Sequence, residues 1–428
     1  MSREPPRALT ADPAVGDTVE VETGSAAHGG FSVARHEGRV VFVRHALPGE
    51  RVRALVTEVA SDRRYLRADA VEVLAPSPDR VEPPCPYAGP GRCGGCDLQH
   101  VALPAQRTWK AAVVREQLSR LAHLDLDVPV EPVAGDLGGL GWRTRLELVA
   151  GEDGRPGLRS HRSHDVVAVD RCAIATDRVN AMLPGLPTSP AGTAYDVVDP
   201  SVGEPVVTIV PSQDKPPTVT EGVGDRTFEV SARGFWQVHP GAARTFVDIV
   251  LGMLGPRPGE RALDLYAGVG LFAAFLADRV GPTGAVVAVE SEATACEHAV
   301  SNVASLGNVV ILRSRVDDSF GLPRRDRGPR RRTARRPTRH PLMPPSADVV
   351  VIDPPRAGAG RAVLKEVTAL EPRALAYVAC DPAALARDTA YLLGMGWRLR
   401  EVRALDAFPM THHVECIAHF DRDILTSR

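Results

Sequence analysis

The chain has 428 residues, 44% of them apolar and 24% charged, which excludes disorder throughout and leaves room for two or three domains. A formal charge of −2 predicts no bulk attraction to nucleic acid, and no apolar run approaches the roughly 20 residues that a membrane span needs. The N-terminus, MSREPPR, lacks the apolar segment of a secretory signal, and seven unevenly spaced cysteines argue for a reducing cytoplasm rather than a disulfide framework.

In chain order, residues 13–75 alternate apolar and polar in short runs broken by glycine and proline. Thr18–Glu22, Arg39–Val43, Arg51–Val59 and Leu66–Leu74 are such runs, and their spacing predicts a small β-barrel. Prolines 76, 78, 83 and 84 mark its exit. A middle region, 76–225, holds four of the cysteines and a predicted helix with Trp109, Val113, Leu118 and Leu121 near one face. From 226 onward strands alternate with helices, and the last two strands, Arg398–Leu405 and His413–Phe420, have no helix between them. This predicts a doubly wound, Rossmann-like α/β sheet with an antiparallel finish. Within it, Arg324–Arg339 carries nine arginines and one acid. Residues 322–344 are therefore expected to be a disordered basic insertion, either a solvated loop or an arm that attracts phosphates. Only three lysines accompany 48 arginines, a bias we read as codon usage.

Four motifs carry chemistry. Asp264-Leu-Tyr266-Ala-Gly268-Val-Gly270-Leu271 follows a predicted strand and opens a helix, where glycines let the backbone turn sharply and approach a ligand. Glu290 ends the next strand, placed to bind ribose hydroxyls. The glycine pattern fits NAD or S-adenosylmethionine, and a plain strand-to-helix turn is the bland alternative. Asp353-Pro-Pro-Arg356 ends an apolar strand, at the rim where ligands of open α/β sheets bind. Cys380, in Ala379-Cys380-Asp381-Pro382, also ends a strand and precedes a helix N-terminus, a position expected to favour the thiolate. Glu415 interrupts the last apolar strand as a solvated residue or a base. Fourth, Cys85-x7-Cys93-x2-Cys96, with Cys172 further on, suits zinc or an iron–sulfur cluster, and spacing does not separate the two. Cys296, within a predicted helix, is expected to be buried, and Cys416 to face the other side of its strand from Glu415.

Taken together with Phe235-Trp236-Gln237 and His413-Val414-Glu415, these motifs resemble the RNA uracil-C5 methyltransferases that make 5-methyluridine. The N-terminal barrel is similar to the TRAM domain, an OB-like RNA-binding module. The resemblance implies Cys380 as nucleophile and Glu415 as general base. It implies Gln237, Tyr266, Glu290 and Asp353 as ligands of S-adenosylmethionine, alongside the loop glycines Gly268 and Gly270. One subgroup also implies a [4Fe–4S] cluster on Cys85, Cys93, Cys96 and Cys172. Two positions depart from the pattern: Leu271, where some members are polar, and Arg315-Val316, where an acid or amide often meets the adenine. The implied reaction is methylation of uridine C5 in RNA, ribosomal in preference to transfer RNA, through a covalent Cys–C6 adduct. The implied partner is RNA, with no membrane and no obligate protein partner. An RNA cytidine C5-methyltransferase is the rival reading, disfavoured because no cysteine stands beside Asp353-Pro-Pro; a non-catalytic RNA-binding protein is another. An NAD-dependent oxidoreductase leaves Cys380 and Glu415 without a role.

Overall fold

The computed structural model describes residues 12–212, 214–323 and 338–422, which form two compact units. The first comprises residues up to Gln106 together with Met410–His412, and the second Arg107–Pro409 and His413 onward.

In the first unit β1 (Thr18–Ala27), β2 (Phe31–His36), β3 (Arg39–Arg44), β4 (Arg51–Val59) and β5 (Tyr65–Ala75) close into a barrel in the order β1-β2-β3-β5-β4. The alternation works as a period-2 pattern should. Val41 and Val43 point inward with Val52, Val56, Leu66 and Ala68, while Arg51, Arg53 and Glu72 face solvent. Strand β2 is an addition to the sequence reading. Its run Phe31-Ser-Val-Ala-Arg-His alternates weakly, because Ser32 is buried and satisfies itself on the Ala46 carbonyl at 2.9 Å.

The expected middle domain, 76–225, is divided between the two units. Residues 76–106, with three of the cysteines, belong to the barrel unit. The helix α1 (Leu103–Ala122) buries Trp109, Val113 and Leu118, and β6 (Val130–Pro132) pairs in parallel with a strand of the large C-terminal sheet. Next, β7 (Arg145–Ala150), β8 (Pro156–Arg159) and β9 (Val166–Ala168) are followed by α2 (Asp177–Met182), β10 (Ala194–Val198) and β11 (Val206–Val210). Those strands form a five-stranded sheet, β11-β10-β7-β8-β9, and β12 (Thr218–Val223) and β13 (Arg226–Ser231) form a hairpin.

The remainder alternates as expected: α3 (Ala242–Leu254), β14 (Arg261–Leu265), α4 (Leu271–Val280), β15 (Ala285–Glu290), α5 (Ala293–Asn302), β16 (Val309–Arg313), α6 (Val316–Ser319), β17 (Val349–Ile352), α7 (Gly360–Thr368), β18 (Ala374–Ala379), α8 (Pro382–Gly394), β19 (Arg398–Asp406) and β20 (Glu415–Asp421). The sheet order is β16-β15-β14-β17-β18-β20-β19-β6, parallel through β18 and antiparallel across β20. Alternate residues of each central strand feed opposite cores. Val349 and Val351 of β17 pack with α3 and α4 side chains such as Phe246 and Leu276, while Val350 and Ile352 pack with Leu118, Leu364 and Leu385. Both faces of the parallel sheet are thus covered by helices, which is why these strands are uninterrupted apolar runs.

Most of the expected basic insertion lies outside the described residues. Its distal flank is well held: His340 N–H donates to the Ser319 carbonyl at 2.9 Å, and Met343 is buried in the core. The expectation of disorder therefore does not extend to residues 338–344.

Candidate active site

The site lies at the carboxyl edge of the parallel strands, where chain reversals after β14, β15, β17 and β18 leave backbone groups and side chains free of the sheet. After β14 the loop turns through Tyr266 (φ 65°), Gly268 (φ 54°) and Gly270 (φ 85°) before α4 begins. Left-handed backbone at Tyr266 is costly for a residue with a Cβ, about 1 kcal/mol or more, and marks a loop held for a purpose. An added Cβ at Gly268 would meet nothing within 4 Å, so that face of the loop is open. Asn302 braces the loop, donating to the Val269 carbonyl at 3.0 Å and the Glu229 carbonyl at 3.1 Å.

Glu290 at the end of β15 accepts from Gly268 N–H (2.9 Å) through one oxygen and from Ser291 and Glu292 N–H (2.5 and 2.8 Å) through the other. Its carboxylate is fixed beside the glycine loop, as the resemblance implies for a ribose ligand. Asp264, wholly buried under the loop, accepts from Ala273 N–H at 2.9 Å, and its other oxygen has no partner among the described residues. Burial pushes its carboxyl up to about 8, the Asp353 and Glu290 charges adding. Tyr266 is raised by burial and then by Asp317 and Asp388, with Arg315 acting oppositely. An acid, Asp317, thus lies in the surroundings of Tyr266, two residues beyond the arginine that breaks the family pattern.

Asp353 is anchored where β17 ends, its N–H donating to the Leu265 carbonyl at 3.1 Å. Burial raises its carboxyl to about 7. Strand pairing decides how the last two residues meet. The antiparallel register of β18 and β20 runs from Ala374↔Asp421 to Ala379↔Cys416, and one step further sets Cys380 opposite Glu415. Two residues 35 positions apart are brought together at the strand ends. Glu415 is 5% exposed and has no hydrogen-bond partner among the described residues. Its carboxyl is raised well above the usual range by burial and by Asp353, while Arg356 opposes.

Cys380 differs from the sequence expectation. Asp381 does cap α8, accepting Ala384 N–H at 2.8 Å, and Pro382 occupies the first turn. The thiol is nonetheless pushed up to about 11, by burial first and then by Glu415 and Asp353, with Arg356 acting the other way. Burial, with the neighbouring carboxylates adding, outweighs the helix N-terminus here. Arg356, half-linked to His413 Nε2 at 3.5 Å, is a site residue that its Asp-Pro-Pro-Arg context could have signalled.

Gln237 follows β13 on a loop whose backbone is gathered by Arg145. That guanidinium donates to the Gly234 carbonyl at 2.9 Å, to those of Ser231 and Ala232 at 3.4 Å, and to Glu221 at 3.1 Å. Phe235 on the same loop is 76% exposed.

The four cysteines of the expected cluster are divided by the units, Cys85, Cys93 and Cys96 in the first and Cys172 in the second. Gly95 N–H donates to Cys93 Sγ (3.4 Å), Gln99 Nε2 to Cys96 Sγ (3.3 Å), and Cys85 N–H to Gln99 Oε1 (3.2 Å). Among the described residues no set of three or more His, Cys, Asp or Glu side chains stands grouped to hold a metal ion. Cys296 is buried as expected, its Sγ meeting the Glu290 carbonyl at 3.4 Å, and Cys416 is buried as well.

A Rossmann-like sheet with a left-handed glycine loop, an acid at the end of the second strand and an Asp-Pro-Pro-Arg turn defines a class I methyltransferase domain, here preceded by a five-stranded barrel. The chain belongs to the tRNA (uracil-5-)-methyltransferase family of S-adenosylmethionine-dependent RNA uracil-5 methyltransferases, whose model matches residues 223–423, and it carries a TRAM domain matching residues 14–71. It is 46% identical to an uncharacterized RNA methyltransferase of Streptomyces coelicolor, over 94% of this chain and 93% of that one. It is 32% identical to the 23S rRNA (uracil(1939)-C(5))-methyltransferase RlmD of Cronobacter sakazakii, over 92% and 94%. In fold it resembles the Pyrococcus abyssi tRNA (uracil-54, C5)-methyltransferase, solved with S-adenosyl-L-homocysteine, with a TM-score of 0.66 and 22% identity over 94% of this chain and all of that one.

Proposed function

We propose that the enzyme methylates C5 of a uridine in ribosomal RNA through a covalent adduct between Cys380 and C6 of the base. The observation that carries this reading is the strand register that sets Cys380 opposite Glu415 at the rim shared with Asp353. Uracil C5 is a weak nucleophile. Addition of the Cys380 sulfur, once its proton is lost, to C6 makes an enolate whose C5 attacks the donor methyl. S-adenosylmethionine, held by Gln237, Tyr266, Gly268, Gly270, Glu290 and Asp353, supplies that methyl on a sulfonium. Glu415 then takes the C5 proton, and the C6–S bond breaks to restore Cys380 and the aromatic ring. A buried carboxylate with a raised affinity for protons suits this step. The target base must leave its stack to reach the site, at about a few kcal/mol, and we assign the barrel to RNA contacts that offset this.

Ribosomal RNA is favoured by the likeness over nearly the full chain to a relative named for 23S rRNA. Comparing 5-methyluridine in ribosomal and transfer RNA from a strain lacking the gene tests the substrate; loss from transfer RNA alone would reverse the assignment. A cytoplasmic location follows from that substrate. Cys85, Cys93, Cys96 and Cys172 are assigned to a [4Fe–4S] cluster on their spacing and family resemblance, and the two N–H···S bonds are of the kind that tune such clusters. No step of the reaction passes through it.

The mechanism is tested by separating the two reactive residues. Cys380→Ala is expected to abolish methylation while RNA and donor binding persist. Glu415→Gln is expected to accumulate methylated RNA joined to the protein, seen as a denaturation-resistant band carrying the donor's methyl label. Normal turnover by Glu415→Gln, with no such band, removes Glu415 from the mechanism.

A further inference from the structure

Behind the rim, one side chain ties together the two loops that carry the reacting groups. Asp388, on α8 and fully buried, stands outside every motif above, two turns along the helix that follows Cys380. One carboxylate oxygen accepts from Ala359 N–H (2.8 Å), Gly360 N–H (3.0 Å) and the Tyr377 hydroxyl (2.6 Å). The other accepts from Arg387 at 3.1 and 3.2 Å, and Arg387 in turn donates to the Ala357 carbonyl at 2.6 Å. Ala359 and Gly360 begin α7, whose N-terminal residue offers no side-chain cap of its own. Asp388 therefore caps α7 from a neighbouring helix, where free amides and the helix dipole favour a carboxylate.

The consequence reaches the site along the chain. Asp353 and Arg356 lie on the loop that ends at this cap, with a tight turn, Gly358 N–H to the Pro355 carbonyl at 2.7 Å, between them and α7. Gly358 is left-handed (φ 76°), and an added Cβ would stand 2.7 Å from the Asp388 carboxylate, so the loop lies directly against it. Tyr377 is on β18, three residues before Cys380, and α8 starts just after Cys380. The same carboxylate thus holds the Asp353–Arg356 loop from one side and both flanks of Cys380 from the other.

We propose that Asp388 is a positioning residue, which fixes the Asp353–Arg356 loop relative to Cys380 through its cap on α7 and its bond to Tyr377. The inference rests on the mechanistic reading above. Losing the cap lets the loop move by a fraction of its own thickness, and a displacement of about 1 Å costs on the order of 100-fold in rate. Asp388→Ala is expected to lower kcat by about that factor, with KM for RNA changed less than about threefold. Asp388→Asn keeps one oxygen for the amides and is expected to restore most of the rate. The yield of the Glu415→Gln adduct is expected to fall when Asp388→Ala is added, because the loss precedes proton removal. Tyr377→Phe removes one hydroxyl from the network with its packing intact, so it replaces Asp388→Ala should that variant not fold. Variants with wild-type kcat per folded molecule overturn the inference, leaving Asp388 a fold residue. Full methylation by Cys380→Ala instead overturns the mechanism on which it stands.

Discussion

Cys380 is a nucleophile in a field of negative charge. Its thiol is raised to about 11 by burial, Glu415 and Asp353, and the Arg356 charge opposes them. Removing a neighbouring negative charge favours the thiolate, and removing the positive one disfavours it. The rate of Cys380 alkylation by iodoacetamide is therefore expected to rise at lower pH in Asp353→Asn than in the parent, and at higher pH in Arg356→Met. Superimposable profiles would show that these groups do not reach the sulfur. Asp264 makes a different prediction, for stability. Its carboxyl is raised from about 3.8 to about 8, so the folded state holds a proton that the unfolded chain releases. The favourable contribution is complete below about pH 4 and is lost as pH climbs through about 8, at up to about 1.4 kcal/mol per unit. Asp264→Asn is expected to melt at a temperature that falls less than the parent's between pH 5 and 8. An equal decline would show that Asp264 ionises in the fold as it does in the open chain.

At the scale of elements, α1 is joined to the end of β19 by a wholly buried ion pair, Lys110 Nζ to Asp406 Oδ1 at 2.5 Å, with a further bond to the Phe408 carbonyl at 3.0 Å. Arg107 reaches the second Asp406 oxygen at 3.2 Å. In a chain with only three lysines, one sits here, its compact ammonium placed on a stem wholly out of solvent. Because β19 leads into the turn before Glu415, this pair supports the strand that carries the proposed base. Lys110→Met leaves Asp406 with less than its full partnership, and about 3 kcal/mol of stability is expected to be lost in urea unfolding. A loss under about 1 kcal/mol would show that Arg107 alone suffices for the carboxylate.

For the whole molecule, the division at Gln106 places three of the cysteines with the barrel and the fourth with the methyltransferase unit. Metal binding by such a set would link segments far apart in sequence and add its binding energy to folding. Protein purified without oxygen is expected to carry about four irons per chain, and Cys93→Ser to lose both the iron and part of the thermal stability. Stoichiometric zinc without iron would replace the cluster with a zinc site; neither metal at any occupancy would leave four plain thiols. Among the described residues no helix is long and apolar enough to cross a membrane.

The sequence alone determined the barrel, the alternation of strands and helices after residue 226, and the presence of Gly268, Gly270, Glu290, Asp353 and Cys380 at one rim. These are local properties. Period-2 runs specify strands, Asp381-Pro382 starts α8, and parallel strands joined by helices must end at the same edge. What tertiary structure alone decided depends on partners distant in sequence. The register of β18 against β20 brought Glu415 to Cys380, where burial first and then that charge raise a thiol that the helix N-terminus alone would have lowered. Strand β6 and helix α1 joined the large sheet although their local pattern offered no sign of it. Asp388 carried no signal either. A buried carboxylate in a helix looks like any polar residue on an exposed face until the amides of Ala359 and Gly360 are found against it. Pairing and burial are set by which surfaces meet, and that is information the chain holds only as a whole.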